Sequence, residues 1–137
     1  KDARDIFIQM AQIIKYLHSN KICHRDLKPE NFLMFNKETL DLKLADFGLS
    51  AKWEKDLRKE LIQSGRNKIL GTSYYIAPEI LAKDYDEKCD IWSLGVLLYI
   101  LVSACPPFDG KDDNAILESV NKLHYSLDSN FLKYKVP

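Results

Sequence analysis

The stretch His24-Arg25-Asp26-Leu27-Lys28-Pro29-Glu30-Asn31 combines a carboxylate, an ammonium group and an amide, and a second carboxylate follows in Asp46-Phe47-Gly48. Asp26 could accept the proton of a hydroxyl group, and Lys28 could neutralise charge on a moving phosphoryl group. The side-chain oxygens of Asn31 and Asp46 are hard ligands of the kind that magnesium prefers. These residue types and their spacing therefore predict transfer of a phosphoryl group to a hydroxyl group.

A short hairpin is predicted to bring the two separated magnesium ligands together. Residues 32–34 and 42–44 have the composition of strands, and the polar stretch 35–41 predicts a loop between them. The two ends of such a hairpin present Asn31 and Asp46 side by side. Leu33 lies at a strand position, where it could be either a core residue or the floor under an adenine ring.

Several helical segments are predicted around this hairpin. Apolar residues recur at helical spacing between residues 3 and 20. The apolar run from Ile91 to Cys105 is shorter than the ~20 residues of a membrane span. It therefore predicts a buried helix that opens near Asp90, is apolar all round and forms the hydrophobic centre of the domain. A further helix, capped by Asp112 or Asp113, is predicted to run through Leu123.

Residues 51–63 predict another short amphipathic helix, because apolar side chains recur there every four residues. A serine and a glycine follow and would end it. Basic residues outnumber acidic residues between positions 52 and 68. This local positive charge is typical of a solvated surface, although a functional basic segment would have the same composition.

The overall composition limits the classes of partner. The 137 residues contain 20 basic and 20 acidic side chains, so net charge gives no reason to expect binding to nucleic acid or to an acidic membrane. Cys23, Cys89 and Cys105 are far apart in the sequence, and we expect small buried residues with neither a metal site nor a disulfide framework. This cysteine usage indicates a reducing, cytoplasmic setting.

Four motifs in order resemble the large, mostly helical C-terminal lobe of a eukaryotic protein kinase: His24-Arg25-Asp26, Asp46-Phe47-Gly48, Ala77-Pro78-Glu79 and Asp90-Ile91-Trp92-Ser93-Leu94-Gly95. The resemblance covers residue 1 to about residue 128. It implies a mainly α fold with a short β-hairpin that carries the catalytic and metal-binding loops, and no N-terminal lobe. Residues 1–137 are accordingly expected to be a partial kinase domain, the C-terminal lobe truncated at both ends.

Finer sequence detail is similar to one group within this family. Lys28 and the segment Gly71-Thr72-Ser73-Tyr74-Tyr75 resemble serine/threonine kinases. Residues 29–33, 74–79, 88–93 and 106–108 are similar to the calcium-dependent protein kinases of plants and apicomplexan parasites. This likeness implies ATP and Mg²⁺ as cofactors, a protein substrate and a regulatory calcium-binding domain elsewhere in the same chain. The 137 residues contain no EF-hand loop themselves.

The resemblance also implies a role for each residue of the catalytic motifs. Asp26 would be the catalytic base, Lys28 would contact the γ-phosphate, and Thr72 would help to fix the hydroxyl acceptor. The remaining implied roles concern ligands: Asn31 and Asp46 would hold magnesium, Leu33 would lie under the adenine, and Glu30 would pair with an arginine of a basic peptide substrate.

Further residues would have structural or regulatory roles. His24 and Phe47 would stack, Asp90 would hold the backbone of the His24-Arg25 loop, and Glu79 would pair with an arginine beyond residue 137. Arg25 normally contacts an activating phosphate in this family. Lys68 stands where many relatives carry the phosphorylated threonine, so we expect control by a calcium switch, with Ser64 as the alternative phosphorylation site.

Two readings of the same fold remain open. The first is a serine/threonine kinase lobe, which the presence of Asp26, Asn31 and Asp46 favours. The alternative is a pseudokinase or scaffold module. A Gly-rich loop and a nucleotide-binding lysine of the N-terminal lobe do not occur in the 137 residues, so we expect residues 1–137 alone to be inactive.

Overall fold

The computed structural model describes residues 2–36, 38–52, 73–82 and 84–125. Short 3₁₀ turns at Pro29–Asn31 and Ser73–Tyr75 accompany the helices and strands. In chain order the described helices and strands are α1 (Asp2–Ser19), β1 (Ile22–Cys23), β2 (Phe32–Asn36), β3 (Asp41–Leu44), β4 (Ala51–Lys52), α2 (Pro78–Leu81), α3 (Lys88–Ser103) and α4 (Asp113–Asn121).

Helix α1 is the amphipathic helix predicted for residues 3–20, and it packs against α3 in the main hydrophobic core. Met10, Ile14 and Leu17 of α1 are buried on one stripe because they recur at spacings of four and three residues. They form one cluster with Leu94 and Leu97 of α3. The core therefore lies between α1, which precedes the loop that carries Asp26, and α3, which anchors that loop.

Strands β2 and β3 form the predicted antiparallel hairpin. Phe32 pairs with Leu44, and Met34 pairs with Leu42. Strand β2 continues to Asn36, beyond the predicted end at residue 34, and Asn36 begins the turn because its side-chain oxygen accepts hydrogen bonds from the backbone N–H groups of residues 38 and 39. The hairpin thus holds the residues at its open end, Asn31 and Ala45, next to each other.

Gln9 of α1 fastens this hairpin to the core. Its Nε2 donates to the carbonyl oxygen of Leu40 at 3.0 Å, and its Oε1 accepts from the backbone N–H of Leu42 at 3.1 Å. Leu40 has a φ of 57°, a left-handed conformation that is unfavourable for a branched side chain. The single amide side chain of Gln9 therefore pairs with one carbonyl group and one N–H group at the start of β3.

Replacing Gln9 with alanine should loosen the hairpin. The change leaves an N–H and a C=O group without their partner, which costs about 2 kcal/mol. We expect the amide hydrogen of Leu42 to exchange about tenfold faster or more, measured by native-state hydrogen exchange. Gln12→Ala is the matched control, because Gln12 lies on the exposed side of the same helix. Equal protection of Leu42 in both variants would contradict this role of Gln9.

Helix α3 is buried on one side only within the described part of the chain. Its inner face includes Cys89, Ser93 and Leu97, whereas Ile91 and Leu98 on the opposite face are 52% and 38% exposed. The predicted apolar helix does contribute to the core, but its exposed face was not predicted, because uniform hydrophobicity does not indicate which face is covered. The helix ends at Ser103, before the prolines that cannot continue it.

Helix α4 begins with the cap that its sequence predicts. The side chain of Asp112 accepts a hydrogen bond from the backbone N–H of Ala115 at 2.9 Å, which selects Asp112 over Asp113 as the N-cap. Ile116 and Val120 are buried. The helix ends at Asn121, and Leu123 is 56% exposed, so the predicted extension through Leu123 is wrong.

Strand β4 replaces the start of the helix predicted at residues 51–63. Ala51 and Lys52 pair antiparallel with Cys23 and Ile22 of β1. The rest of the predicted helix lies outside the described residues. Among the described helices, none has the length and hydrophobicity needed to span a membrane.

Candidate active site

The loop that carries Asp26 is anchored at its start by Asp90 of α3. The two carboxylate oxygens of Asp90 accept hydrogen bonds from the backbone N–H groups of His24 and Arg25, each at 2.8 Å. His18, at the end of α1, contributes a third partner, because its Nε2 lies 2.9 Å from Asp90 Oδ2. This buried carboxylate therefore connects α1, the catalytic loop and α3.

Hydrogen bonds stabilise the negative charge of the buried Asp90 carboxylate. Burial alone would raise the pKa of the Asp90 carboxyl group, but hydrogen bonds from His18, His24 and Arg25 outweigh that effect and hold the pKa below its ordinary value. Asp90 is 1% exposed. An ionised carboxylate at such a position persists only when its oxygens are well paired, as they are here.

Asp26 is oriented by two neighbours from its own loop. Lys28 Nζ lies 2.8 Å from Asp26 Oδ2. Asn31 Nδ2 donates to the carbonyl oxygen of Asp26 at 2.7 Å and lies 3.3 Å from Oδ2. The hydrogen bond to Asp26 raises the pKa of Lys28, burial opposes this shift, and the charges of Glu30 and Asp46 add to it. The ammonium group is therefore cationic at neutral pH.

Asp46 follows β3 at the open end of the hairpin, beside this cluster. The backbone N–H of Ala45 donates to the carbonyl oxygen of Asn31 at 2.8 Å, which ties the two loops together. Asp46 has a φ of 60°, and its Oδ1 accepts from the backbone N–H of Gly48 at 3.2 Å. A side-chain carbon at Gly48 would lie 3.1 Å from that oxygen. Glycine therefore leaves room for the Asp46 carboxylate.

His24 and Phe47 make the ring contact that the resemblance implies. Their ring centroids are 5.0 Å apart with an interplanar angle of 70°, an edge-to-face geometry that aromatic rings favour. His24 is fully buried, and its Nε2 lies 3.1 Å from the carbonyl oxygen of Ala45. The contact links the loop of Asp26 to the loop of Asp46 by a second route.

Arg25 is directed away from Asp26. It has a φ of 69°, which is uncommon for a residue other than glycine, and its Nε donates to the carbonyl oxygen of Leu49. Its Nη1 lies 3.4 Å from the hydroxyl of Tyr85. The guanidinium group therefore joins the catalytic loop to the segment after Asp46 and to the segment before α3. Its expected contact with a phosphate stays a prediction.

The other predicted site residues fall into three groups. Leu33 is 52% exposed, which excludes its alternative as a core residue in the described structure, and Glu30 is exposed at the surface of the same loop. Glu79 lies in the first turn of α2, where a carboxylate suits the positive end of a helix. Thr72 and Ser64 lie outside the described residues, so their roles stay predictions.

Two features of the site had no signal in the sequence analysis. His18 follows an ordinary amphipathic stripe, and its partner Asp90 is 72 residues away. Cys23 and Cys89 are buried, as expected, but no sequence pattern indicated that their Sγ atoms lie 3.6 Å apart. The contact between His18 and Asp90 could be predicted only if α1 were already known to pack on α3.

The donor atoms suit a magnesium ion. Asn31 contacts Asp26 through its amide nitrogen, so these contacts do not use its amide oxygen. Asp46 is exposed and presents a carboxylate beside the same loop. An amide oxygen and a carboxylate are hard oxygen ligands, and magnesium is commonly held by few protein groups together with substrate phosphates.

Comparison with known proteins agrees with this geometry. A family model described as a protein kinase domain matches residues 1–134. Calcium-dependent protein kinase 4 of Plasmodium falciparum (isolate 3D7) is 49% identical over 129 residues, which cover 93% of this chain and 23% of that protein. Calcium-dependent protein kinase 3 of Plasmodium yoelii yoelii is 46% identical over 122 residues, which cover 88% of this chain and 22% of that protein. Calcium-dependent protein kinase 5 of Plasmodium falciparum (isolate 3D7) is 43% identical over 131 residues, which cover 95% of this chain and 22% of that protein.

The chain thus spans less than a quarter of the length of the curated relatives it matches. The match confirms the expected fold class, because the described helices and the short hairpin are those of a kinase-like lobe. It also confirms the resemblance to serine/threonine kinases of the calcium-dependent group. The chain therefore belongs to the protein kinase domain family.

Proposed function

We propose that the full-length protein transfers the γ-phosphoryl group of Mg-ATP to a serine or threonine hydroxyl of a protein substrate. The observation that carries this proposal is the cluster of Asp26, Lys28 and Asn31, in which a carboxylate lies 2.8 Å from an ammonium group and is oriented by an amide. Asp26 would accept the hydroxyl proton as the acceptor oxygen attacks.

The neighbouring residues would position the reacting groups. Lys28, cationic because its pKa is raised, would balance negative charge on the transferred phosphoryl group. Asn31 and Asp46 would hold magnesium, which when bound neutralises charge on the nucleotide phosphates. Leu33 is exposed on the hairpin and would provide an apolar surface for the adenine ring.

Two finer elements of the proposal concern specificity and control. Glu30 is exposed next to the Asp26 cluster, where its carboxylate would attract a basic residue near the target hydroxyl. The relatives are named calcium-dependent kinases, and this chain covers only 23% and 22% of two of them. Calcium control would therefore depend on a regulatory domain outside these 137 residues.

A transfer assay with the full-length chain tests the proposal. Radiolabelled ATP, magnesium and a basic serine-containing peptide should give labelled peptide, and labelling should fall when a chelator removes calcium. The pseudokinase alternative predicts nucleotide or partner binding without labelled product under the same conditions. Residues 1–137 alone should give no labelled product, since they contain no Gly-rich loop to cover the phosphates, and turnover by that fragment would contradict this part.

A further inference from the structure

Two cysteine thiols meet behind the catalytic loop. Cys23 Sγ and Cys89 Sγ are 3.6 Å apart, although 66 residues separate them in the chain. Both side chains are buried, at 1% exposure each. Cys23 belongs to β1 and Cys89 to α3, so the contact joins the strand that leads into the catalytic loop to the helix that anchors it.

The contact lies directly beside the Asp90 anchor. Cys23 precedes His24, Cys89 precedes Asp90, and the two sulfurs and the Asp90 carboxylate lie within 4.8 Å of one another. A zinc site here is unfavourable, because structural zinc takes four ligands and both oxygens of Asp90 already accept backbone N–H groups. Oxidation of the two thiols needs no additional ligand.

We propose that Cys23 and Cys89 form a modification site at which hydrogen peroxide produces an intramolecular disulfide between β1 and α3. In the first step one thiolate attacks the peroxide, the O–O bond breaks, and a sulfenic acid and hydroxide form. In the second step the other thiolate attacks the sulfenic sulfur, the S–S bond forms, and a second hydroxide leaves. The two thiol protons convert both hydroxides into water, so one peroxide accepts the two electrons that the thiols lose.

The surroundings make this oxidation slow and specific. The hydrogen bond with Cys89 and burial raise the pKa of the Cys23 thiol, so little thiolate is present in the closed structure. Within the described residues, strand β1 pairs with β4 over two residue pairs, and local opening of this ladder gives the oxidant access. Reclosure places the oxidised sulfur against the second thiol, which gives a high effective concentration for the second step.

The disulfide would also change the catalytic loop. A disulfide has an S–S length of about 2.05 Å, so the two sulfurs must approach from 3.6 Å, and we expect β1 to move relative to α3 as they do. The hydrogen bonds from His24 and Arg25 to Asp90 begin one residue further along. The displacement would therefore reach the loop that carries Asp26. This effect on catalysis rests on the proposed function, whereas formation of the disulfide does not.

Peptide mapping of the full-length protein tests the disulfide. The folded protein is treated with hydrogen peroxide, remaining thiols are alkylated, and the digest is analysed by mass spectrometry. We expect a peptide pair linked through Cys23 and Cys89, lighter by two hydrogen atoms than the two thiol peptides and separated by dithiothreitol. Cys23→Val and Cys89→Ala should each abolish the linked pair, whereas the matched control Cys105→Ser should retain it.

The kinase assay tests the consequence in the same samples. Oxidation should lower kcat of the wild-type protein and of Cys105→Ser by about 10²-fold, the scale expected for a displacement of about 1 Å, and dithiothreitol should restore it. Cys89→Ala should keep its kcat through the same peroxide treatment.

Full alkylation of Cys23 and Cys89 after peroxide, or a link to Cys105 instead, would overturn the proposed site. A linked peptide pair with unchanged kcat would overturn the proposed effect on the loop. If the protein has no kinase activity, peptide mapping still shows whether Cys23 and Cys89 form a disulfide.

Discussion

Asp26→Asn should lower kcat for phosphoryl transfer by about 10²- to 10⁴-fold in the full-length protein, the range that a general base contributes. The amide keeps the shape of the carboxylate and can still accept hydrogen bonds from Lys28 and Asn31, but it cannot accept the proton of the substrate hydroxyl. Because the proposed metal ligands Asn31 and Asp46 are unchanged, KM for ATP should change much less than kcat. Steady-state kinetics with varied ATP and varied peptide separate these effects.

A matched aspartate provides the control for this variant. Asp109 is exposed after α3, and its carboxylate accepts a hydrogen bond from the backbone N–H of Gly110, so Asp109→Asn should leave kcat unchanged. Equal kcat for wild type and Asp26→Asn would exclude Asp26 as the base and would favour a kinase-like fold with another chemistry. A parallel measurement of thermal unfolding shows whether Asp26→Asn has changed the fold instead of the reaction.

Asp90→Ala should release the catalytic loop from α3. The change leaves two buried N–H groups and the ring of His18 without their acceptor, and loss of a buried, paired charge costs about 3–5 kcal/mol. The amide hydrogens of His24 and Arg25 should therefore exchange about 10²-fold faster or more, as measured by hydrogen exchange of the full-length protein. Phosphoryl transfer should fall as well, because Asp26 lies in the released loop.

Asp86→Ala is the matched control for Asp90→Ala. Asp86 lies in the same segment and interacts with Lys88 through a hydrogen bond of 2.9 Å to its backbone N–H and an ion pair of 3.3 Å with its Nζ. Its side chain is 38% exposed, and pairs of this kind contribute about 1 kcal/mol or less. Normal protection of His24 and Arg25 in Asp90→Ala would show that another contact holds the loop.

The effect of Asp90 should depend on pH in one direction. The pKa of Asp90 in the folded protein lies below its ordinary value of 3.8, so its contribution to the free energy of unfolding is fully present above that value. The contribution is lost as the pH falls through the lower folded pKa. The difference in stability between wild type and Asp90→Ala should therefore be constant near neutral pH and shrink only in strong acid.

The local parts of the site follow directly from sequence. The catalytic and metal-binding residue types are recognisable from their spacing, and the hairpin that joins Asn31 to Asp46 depends on contacts between neighbouring strands. Helix α1 follows from the spacing of its apolar residues. Such features are predictable because periodicity and turn chemistry act over a few residues.

The tertiary structure decided the contacts that hold the site against the core. His18 contacts Asp90 across 72 residues of chain, and Cys23 contacts Cys89 across 66. Gln9 contacts Leu40, just before β3, across 31 residues. Hydrophobic periodicity shows that α1 has a buried face, and apolar composition shows that α3 belongs to the core, but neither specifies how the helices pack against each other. The same limit explains why the exposed face of α3 and the contact between the two cysteines could not be predicted. Their proximity exists only after α1, β1 and α3 have packed, because side chains distant in sequence are placed by the packing of whole elements.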